Sequence, residues 1–278
     1  MLRPMSDFAR GTWVITGAGS GFGREFARRL DQRGARLALW DRDRQGLAKT
    51  SELLRGKHQS FVVDVSDRAA VHATAEATGT TVGPVAHVIN SAGVLRVGRA
   101  LGIGDENEQN DIDALVGPTK RRLMMDINFH GSVDVTEALM PQIKASSGRS
   151  IVLFVSSMAG LRGFAGLAGY SASKFALVGF AQALREEMRE MDVDVRALCP
   201  PPGDTPMVQA IEKRPAIYKL APLLSAETVV DATLRAIDKP GDLKILVDDR
   251  TKTMDRVDRL APGVIDRIVR LARYGRSK

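Results

Sequence analysis

Cysteine is nearly absent from this 278-residue chain. Cys199 stands alone, so no internal disulfide can form, and a reducing compartment such as the cytoplasm is the expected location. Long hydrophobic runs are missing too: nothing approaches the roughly eighteen consecutive apolar residues of a membrane span. The opening stretch MLRPMSDFARGTWVITG has no apolar segment followed by a small-residue cleavage site, so no signal peptide is expected. Histidine is scarce, and His58, His72, His87 and His130 fall at no metal-like spacing, which predicts no metal site. Aromatics make up 5% of the chain, too few to suggest a stacking platform for bases. The formal charge of +7 does not restore a nucleic-acid reading. Residues 262–278 carry Arg267, Arg270, Arg273, Arg276 and Lys278 against one acid, Asp266, so this tail holds over half of the excess. No repeat, no low-complexity linker and no G-K-[ST] sequence occurs, and the last of these argues against a kinase or P-loop ATPase.

What is present is a 44% hydrophobic composition at a length that suits one large α/β domain better than two small ones. Short apolar runs at 12–17, 35–41, 60–65, 85–93, 150–157, 193–203 and 243–248 read as strands. Helical patterns separate them, at 21–34, 67–78, 119–146 and 168–191 among others. Strands alternating with helices of this length imply parallel βαβ crossovers. The expectation is one doubly wound domain over residues 1–261, with a mostly parallel sheet of about seven strands and a ligand at their carboxyl ends. Residues 262–278 form a basic amphipathic tail. The acidic segment 102–113, GIGDENEQNDID, reads as a surface loop.

The sequence TGAGSGFG (16–23) falls where the first strand turns into the first helix. Gly17 permits the tight turn, Gly21 lets backbone approach a pyrophosphate, and Gly23 allows close helix–strand packing. Ser20 and Phe22 belong to the same loop, and the helix N-terminus supplies N–H groups for phosphate. Asp41 ends the second strand about twenty residues on, where a carboxylate accepts from ribose hydroxyls and repels a 2′-phosphate. That favours NAD, while Arg42 and Arg44 pull toward NADP; the alternative role for Asp41 is a helix N-cap. Asp64 and Val65, then Asn90, Ala92 and Gly93 of NSAG, sit at consecutive strand ends that line one cleft. Tyr170 and Lys174 stand at i and i+4 and share a helix face.

These motifs, with the serine thirteen residues before Tyr170 and the Y-x-x-x-K of YSASK, resemble the short-chain dehydrogenase/reductase family over about residues 10–250. The resemblance implies a Rossmann-type fold, an NAD or NADP cofactor, and hydride transfer between an alcohol and its carbonyl. It makes Tyr170 the acid/base, Ser157 the residue that positions the substrate oxygen, and Lys174 the holder of the nicotinamide ribose. Asn128 supports a water-linked proton path, or else is a helix-interior polar contact. Pro200, Gly203 and Thr205 of the PPPGDT segment approach the nicotinamide. A homodimer or homotetramer, paired through the helices carrying Asn128 and Tyr170, is also implied. The sequence departs from the pattern in its long 90–128 segment, in Ser91, and in three consecutive prolines.

A tyrosine near pKa 10 is protonated at neutral pH, so the base role needs help; Lys174 one turn away and a positive nicotinamide would lower it. Met158, Leu161, Phe164, Leu167 and Met207 fall at the pocket and suggest a lipid, steroid-like or aromatic alcohol or ketone. In the tail, Val264, Ile268 and Leu271 form one stripe with Ile265, Val269 and Ala272 beside it. That stripe fits either an anionic membrane surface or packing against protein. Competing readings of the whole chain are a catalytically silent dinucleotide-binding regulator and a sugar-nucleotide epimerase. The first has no need of all of Ser157, Tyr170 and Lys174. The second has another loop spacing and a larger C-terminal domain.

Overall fold

The structure, a computed structural model, describes residues 11–101, 116–212, 214–215, 218 and 223–274, the side chains of 269, 270 and 272–274 excepted. The acidic segment 102–113 lies outside the described residues. From the N-terminus, β1 (Thr12–Thr16), α1 (Gly21–Asp31), β2 (Arg36–Asp41), α2 (Arg44–Ser51), β3 (His58–Val62), α3 (Arg68–Thr81) and β4 (Val85–Asn90) form the first half. The second half runs through α4 (Pro118–Met125), a π-helical turn (Asp126–His130), α5 (Gly131–Ala145), β5 (Ser150–Val155), a 3-10 turn (Met158–Gly160), α6 (Ala168–Glu187) and β6 (Val193–Leu198). It continues with β7 (Gly203–Asp204), α7 (Pro206–Gln209), β8 (Leu224–Ser225), α8 (Ala226–Ile237), β9 (Lys244–Ile245), α9 (Asp249–Leu260) and α10 (Pro262–Tyr274).

Seven strands form one sheet in the order β3-β2-β1-β4-β5-β6-β9, every pair parallel. The order reverses between β1 and β4, the switch point of a doubly wound sheet. Strand parity explains the two-sided core. In β1, Trp13 and Ile15 bury against α1 and α8 beside Phe26, Leu30, Val229 and Leu234, while Val14 buries on the other face with Leu139 and Leu177. Each such fully buried side chain contributes about 1.5–3 kcal/mol. A third apolar cluster, with Leu95, Met158, Phe164, Leu167, Val208 and Ile211, lies among the segments that follow the strands' carboxyl ends.

Several boundaries differ from expectation, three of them instructively. The run at 60–65 pairs only as His58–Val62, because the β2–β3 ladder ends at Asp41↔Val62; Val63 and Val65 leave the strand to bury in the core. The helix expected over 119–146 is interrupted by the π turn, whose middle residue is Asn128. The run at 193–203 ends as a strand at Leu198, since Pro200, Pro201 and Pro202 have no N–H for a ladder. Among the described residues, no helix is long and apolar enough to cross a membrane.

Candidate active site

A cleft of about 340 Å³ opens along the carboxyl ends of β1, β2, β4, β5 and β6. At its floor is the glycine loop. Gly17 has φ +67°, and a Cβ there would lie 2.8 Å from the Ala92 backbone N, so the close approach of this turn to the NSAG segment excludes any side chain. Gly23 stands behind the wall, where any Cβ would collide with the Gly17 carbonyl, the close helix–strand packing expected of it. Ser20 is the N-cap of α1 yet makes no side-chain cap, which leaves the helix's first-turn N–H groups open toward the cleft beside Gly21 and Phe22.

Asp41 reaches the same loop. Its Oδ2 accepts from Gly19 N at 2.8 Å and its Oδ1 from Asp43 N at 2.9 Å, while Asp43 is the N-cap of α2. Asp41 is therefore oriented by backbone donors rather than acting as the cap. Arg42 lines the cleft but leans 3.8 Å from the Asp64 carboxylate; Arg44 lies on α2 away from the cleft lining. Asp64, Val65, Ala92 and Gly93 complete this side, with Ser91, Val63 and Ile127 beside them.

Ser157, Tyr170 and Lys174 come together opposite. Ser157 has extended backbone and caps the 3-10 turn, its Oγ accepting from Ala159 N at 3.1 Å, and its side chain also hydrogen-bonds Tyr170. Ser156 turns instead to donate to the Lys174 carbonyl at 3.0 Å, a contact that ties β5 to α6. Lys174 is buried; its Nζ donates to the Val155 carbonyl at 2.8 Å and lies 5.7 Å from the Tyr170 ring centroid. Burial pushes the Tyr170 phenol up to about 12, the Ser157 hydrogen bond pulling the other way, and pushes Lys174 down to about 8. Without a further positive charge, the tyrosine is thus held as a proton donor.

Two expected residues stand off the cleft wall. Asn90 is buried with its Nδ2 donating to Thr136 at 2.9 Å, because strand parity sends it to the α5 side while Ile89 takes the other face. Asn128 accepts from Val94 N at 2.7 Å and donates to Val94 O at 3.0 Å and Ser173 Oγ at 2.9 Å. Its amide clamps the loop after β4 onto α6. Pro200, Gly203 and Thr205 line the far rim with Pro201 and Pro202.

The apolar end of the cleft is walled by Met158, Phe164, Leu167, Met207 and Val208. Leu161 turns into the main core instead. Tyr218 lines this end as well, its phenol pushed up by burial and by the nearby Tyr170. Tyr218 carried no motif or periodicity to mark it; only the tertiary fold brings it to the site.

Comparison with known proteins agrees with this geometry. Residues 12–216 match the family of short chain dehydrogenases. A Mycobacterium tuberculosis protein named SadH is 33% identical over 285 residues, covering 95% of this chain and 96% of its own. Retinol dehydrogenase 10-B of Danio rerio is 33% identical over 268 residues, 86% of this chain and 76% of that one. A short chain dehydrogenase/reductase from Burkholderia phymatum, solved in complex with NAD, superposes with a TM-score of 0.78 at 25% identity over 93% of this chain and 96% of that one. The chain belongs to the short-chain dehydrogenase/reductase family, as the resemblance of its motifs implies. It is an NAD(P)-dependent oxidoreductase of the alcohol–carbonyl level.

Proposed function

We propose that the protein transfers hydride between NAD and an apolar alcohol or its ketone, with Tyr170 as acid/base. The observation that carries this is the convergence of Ser157, Tyr170 and Lys174 on one cleft whose other end is the uncapped α1 N-terminus. A dinucleotide suits that end: Gly17 and Gly21 line it without side chains, and the first-turn N–H groups of α1 have no side-chain cap and are free for a pyrophosphate. Asp41, already oriented by Gly19 N, would take the adenosine ribose hydroxyls, and Arg42 is drawn toward Asp64, which supports NAD over NADP. Lys174 would hold the nicotinamide ribose. The bound nicotinamide supplies the hydride acceptor or donor.

In reduction, Tyr170 donates its phenolic proton to the forming alkoxide. In oxidation, that proton must first leave to solvent, and the resulting phenolate, which the Lys174 ammonium and a positive nicotinamide would stabilise, takes the proton of the substrate hydroxyl. Ser157 Oγ hydrogen-bonds that oxygen and fixes its orientation. Asn128 acts through structure, holding the loop of Val94 against the helix that carries Tyr170 and Lys174. Met158, Phe164, Leu167, Met207 and Val208 give the substrate end an apolar surface that favours a lipid-like, steroid-like or aromatic group. The similarity to a retinol dehydrogenase supports the same class. Pairing of two or four copies across α5 and α6, whose outer face carries the exposed Phe175, is the assembly we assign. Light scattering on the purified protein tests it, a monomer being the contrary result.

The test of function is NADH and NADPH titration followed by fluorescence, together with oxidation of long-chain and aromatic secondary alcohols. NADH should bind at least about tenfold more tightly than NADPH. Tyr170→Phe should keep NADH affinity and lose turnover by about 10²–10⁴-fold. Binding of neither nucleotide, or full turnover in Tyr170→Phe, would refute the assignment.

A further inference from the structure

The C-terminal helix α10 is fastened to the body along one side only. Ile265 is buried there, and the neighbouring Asp266 pairs with Arg162, a mostly buried guanidinium in the loop after Ser157 that also pairs with Asp258 of α9. At about 100° per residue, Val264, Ile268 and Leu271 form a stripe opposite Asp266, centred about 90° round the helix from Ile265. They are 50%, 48% and 64% exposed, and Leu260, at the end of α9, is 87% exposed. Arg267 is exposed beside this stripe, as is Arg256 on α9.

Charge singles out the occupant. Residues 262–278 contain five basic side chains and one acid, and that acid, Asp266, is turned toward Arg162 of the body. An apolar stripe on a helix this basic is matched to a surface that is apolar within and anionic outside. A second copy of the chain fits poorly. The exposed face of a helix about 20 Å long and about 10 Å wide gives roughly 200 Å² per partner. A stable interface needs about 800 Å² per partner. Two such tails would also bring like charges together.

We propose that α10 and the end of α9 dock the protein on an anionic lipid bilayer. Leu260, Val264, Ile268 and Leu271 enter the headgroup–acyl boundary, and Arg256 and Arg267 meet the lipid phosphates. The same helix pair backs the substrate end of the cleft, since Thr251 Oγ1 of α9 touches Met158 Sδ at 4.0 Å and Met254 packs on the cluster of Phe164 and Leu167. Docking therefore places the apolar wall of the cleft one helix away from the membrane, which suits a lipophilic substrate without depending on one.

Co-sedimentation of the full chain with sucrose-loaded vesicles tests this, using phosphatidylcholine alone and phosphatidylcholine with about 30% phosphatidylserine. The protein should bind the anionic vesicles, bind the neutral ones far less, and be released by salt. Ile268→Ser/Leu271→Ser should bind at least about tenfold more weakly, with nucleotide binding and melting temperature unchanged because both positions are exposed. Equal binding by this variant, equal binding to the two vesicle types, or no binding to either overturns the proposal. Sedimentation velocity adds a separate arm: loss of a dimer in the double variant would assign the stripe to self-association instead. Failure of any of these leaves the oxidoreductase assignment intact, since nucleotide titration reads that independently.

Discussion

Replacing Lys174 with methionine should flatten the pH dependence of stability above neutrality. Burial lowers the ammonium's pKa from 10.5 to about 8. The unfolded chain therefore holds this proton up to about 10.5, while the native chain releases it near 8. Between those values the unfolded state binds more protons, so native stability rises with pH; the contribution is fully present above the unfolded value and is lost as pH falls through 8. One pKa unit corresponds to about 1.36 kcal/mol, so the full span is worth roughly 3 kcal/mol as an upper bound. At pH 7 the variant escapes that cost but orphans the Val155 carbonyl, which accepts from Nζ at 2.8 Å; an unpaired buried carbonyl costs about 1–3 kcal/mol. The two effects oppose each other, so a comparison at one pH is not diagnostic. The slope is. Urea unfolding of both proteins from pH 7 to about 10 should show the wild type gaining about 2–3 kcal/mol on Lys174→Met, because groups common to both cancel. Parallel curves would refute the claim that folding holds Lys174 at a depressed pKa.

Four further substitutions separate chemistry from scaffold. Gly23→Ala places a methyl against the Gly17 carbonyl, with backbone on both sides of the contact, so α1 must back away from the loop. The expected result is a lower melting temperature, by about 1–3 kcal/mol of stability, and at least about tenfold weaker NADH binding by fluorescence titration. Ser157→Ala should lower kcat by about 10–10²-fold with stability near wild type, whereas Ser156→Ala should do the reverse, costing about 1 kcal/mol in urea and little in kcat. Asn128→Ala leaves both polar groups of Val94 without their side-chain partner. It should cost about 1–3 kcal/mol by denaturation and reduce turnover of the folded fraction without shifting its pH profile.

The sheet was legible because parallel strands buried on both faces read as continuous apolar runs, and each of the seven runs expected as strands overlaps a strand that pairs in the sheet. Where the reading slipped, pairing rather than hydrophobicity set the limit. Val63 and Val65 are as apolar as strand residues but have no ladder beyond Asp41↔Val62. Likewise Lys244–Ile245 pairs only where β6 offers Ala197 and Leu198, so the expected strand at 243–248 shrinks to two residues. The π turn over Asp126–His130 holds no proline or glycine, so nothing in the 119–146 pattern marks it.

The site divides along the same physical line. Gly17, Asp41, Tyr170 and Lys174 were readable because each answers a local demand: a tight turn, a strand end or a one-turn helical spacing. Ser157 came instead from the family resemblance. Asn90 misled for an equally local reason. A polar residue at a carboxyl edge looks like a ligand contact, yet one residue of strand parity decides whether it faces the cleft or, as here, Thr136. Ser91, one residue further along, is the member of the pair that lines the cleft. Asn128 shows the converse, since its amide is spent on the backbone of Val94, 34 residues away, and no spacing rule couples positions so distant. Tyr218 lies at the limit of such reading: it reaches Tyr170 from a segment with no period and no motif, through contacts that exist only once the third apolar cluster has formed. Residues that set backbone shape write themselves into a sequence as spacing; residues that close a pocket from a distant loop are visible only in three dimensions, and substrate choice rests with the second kind.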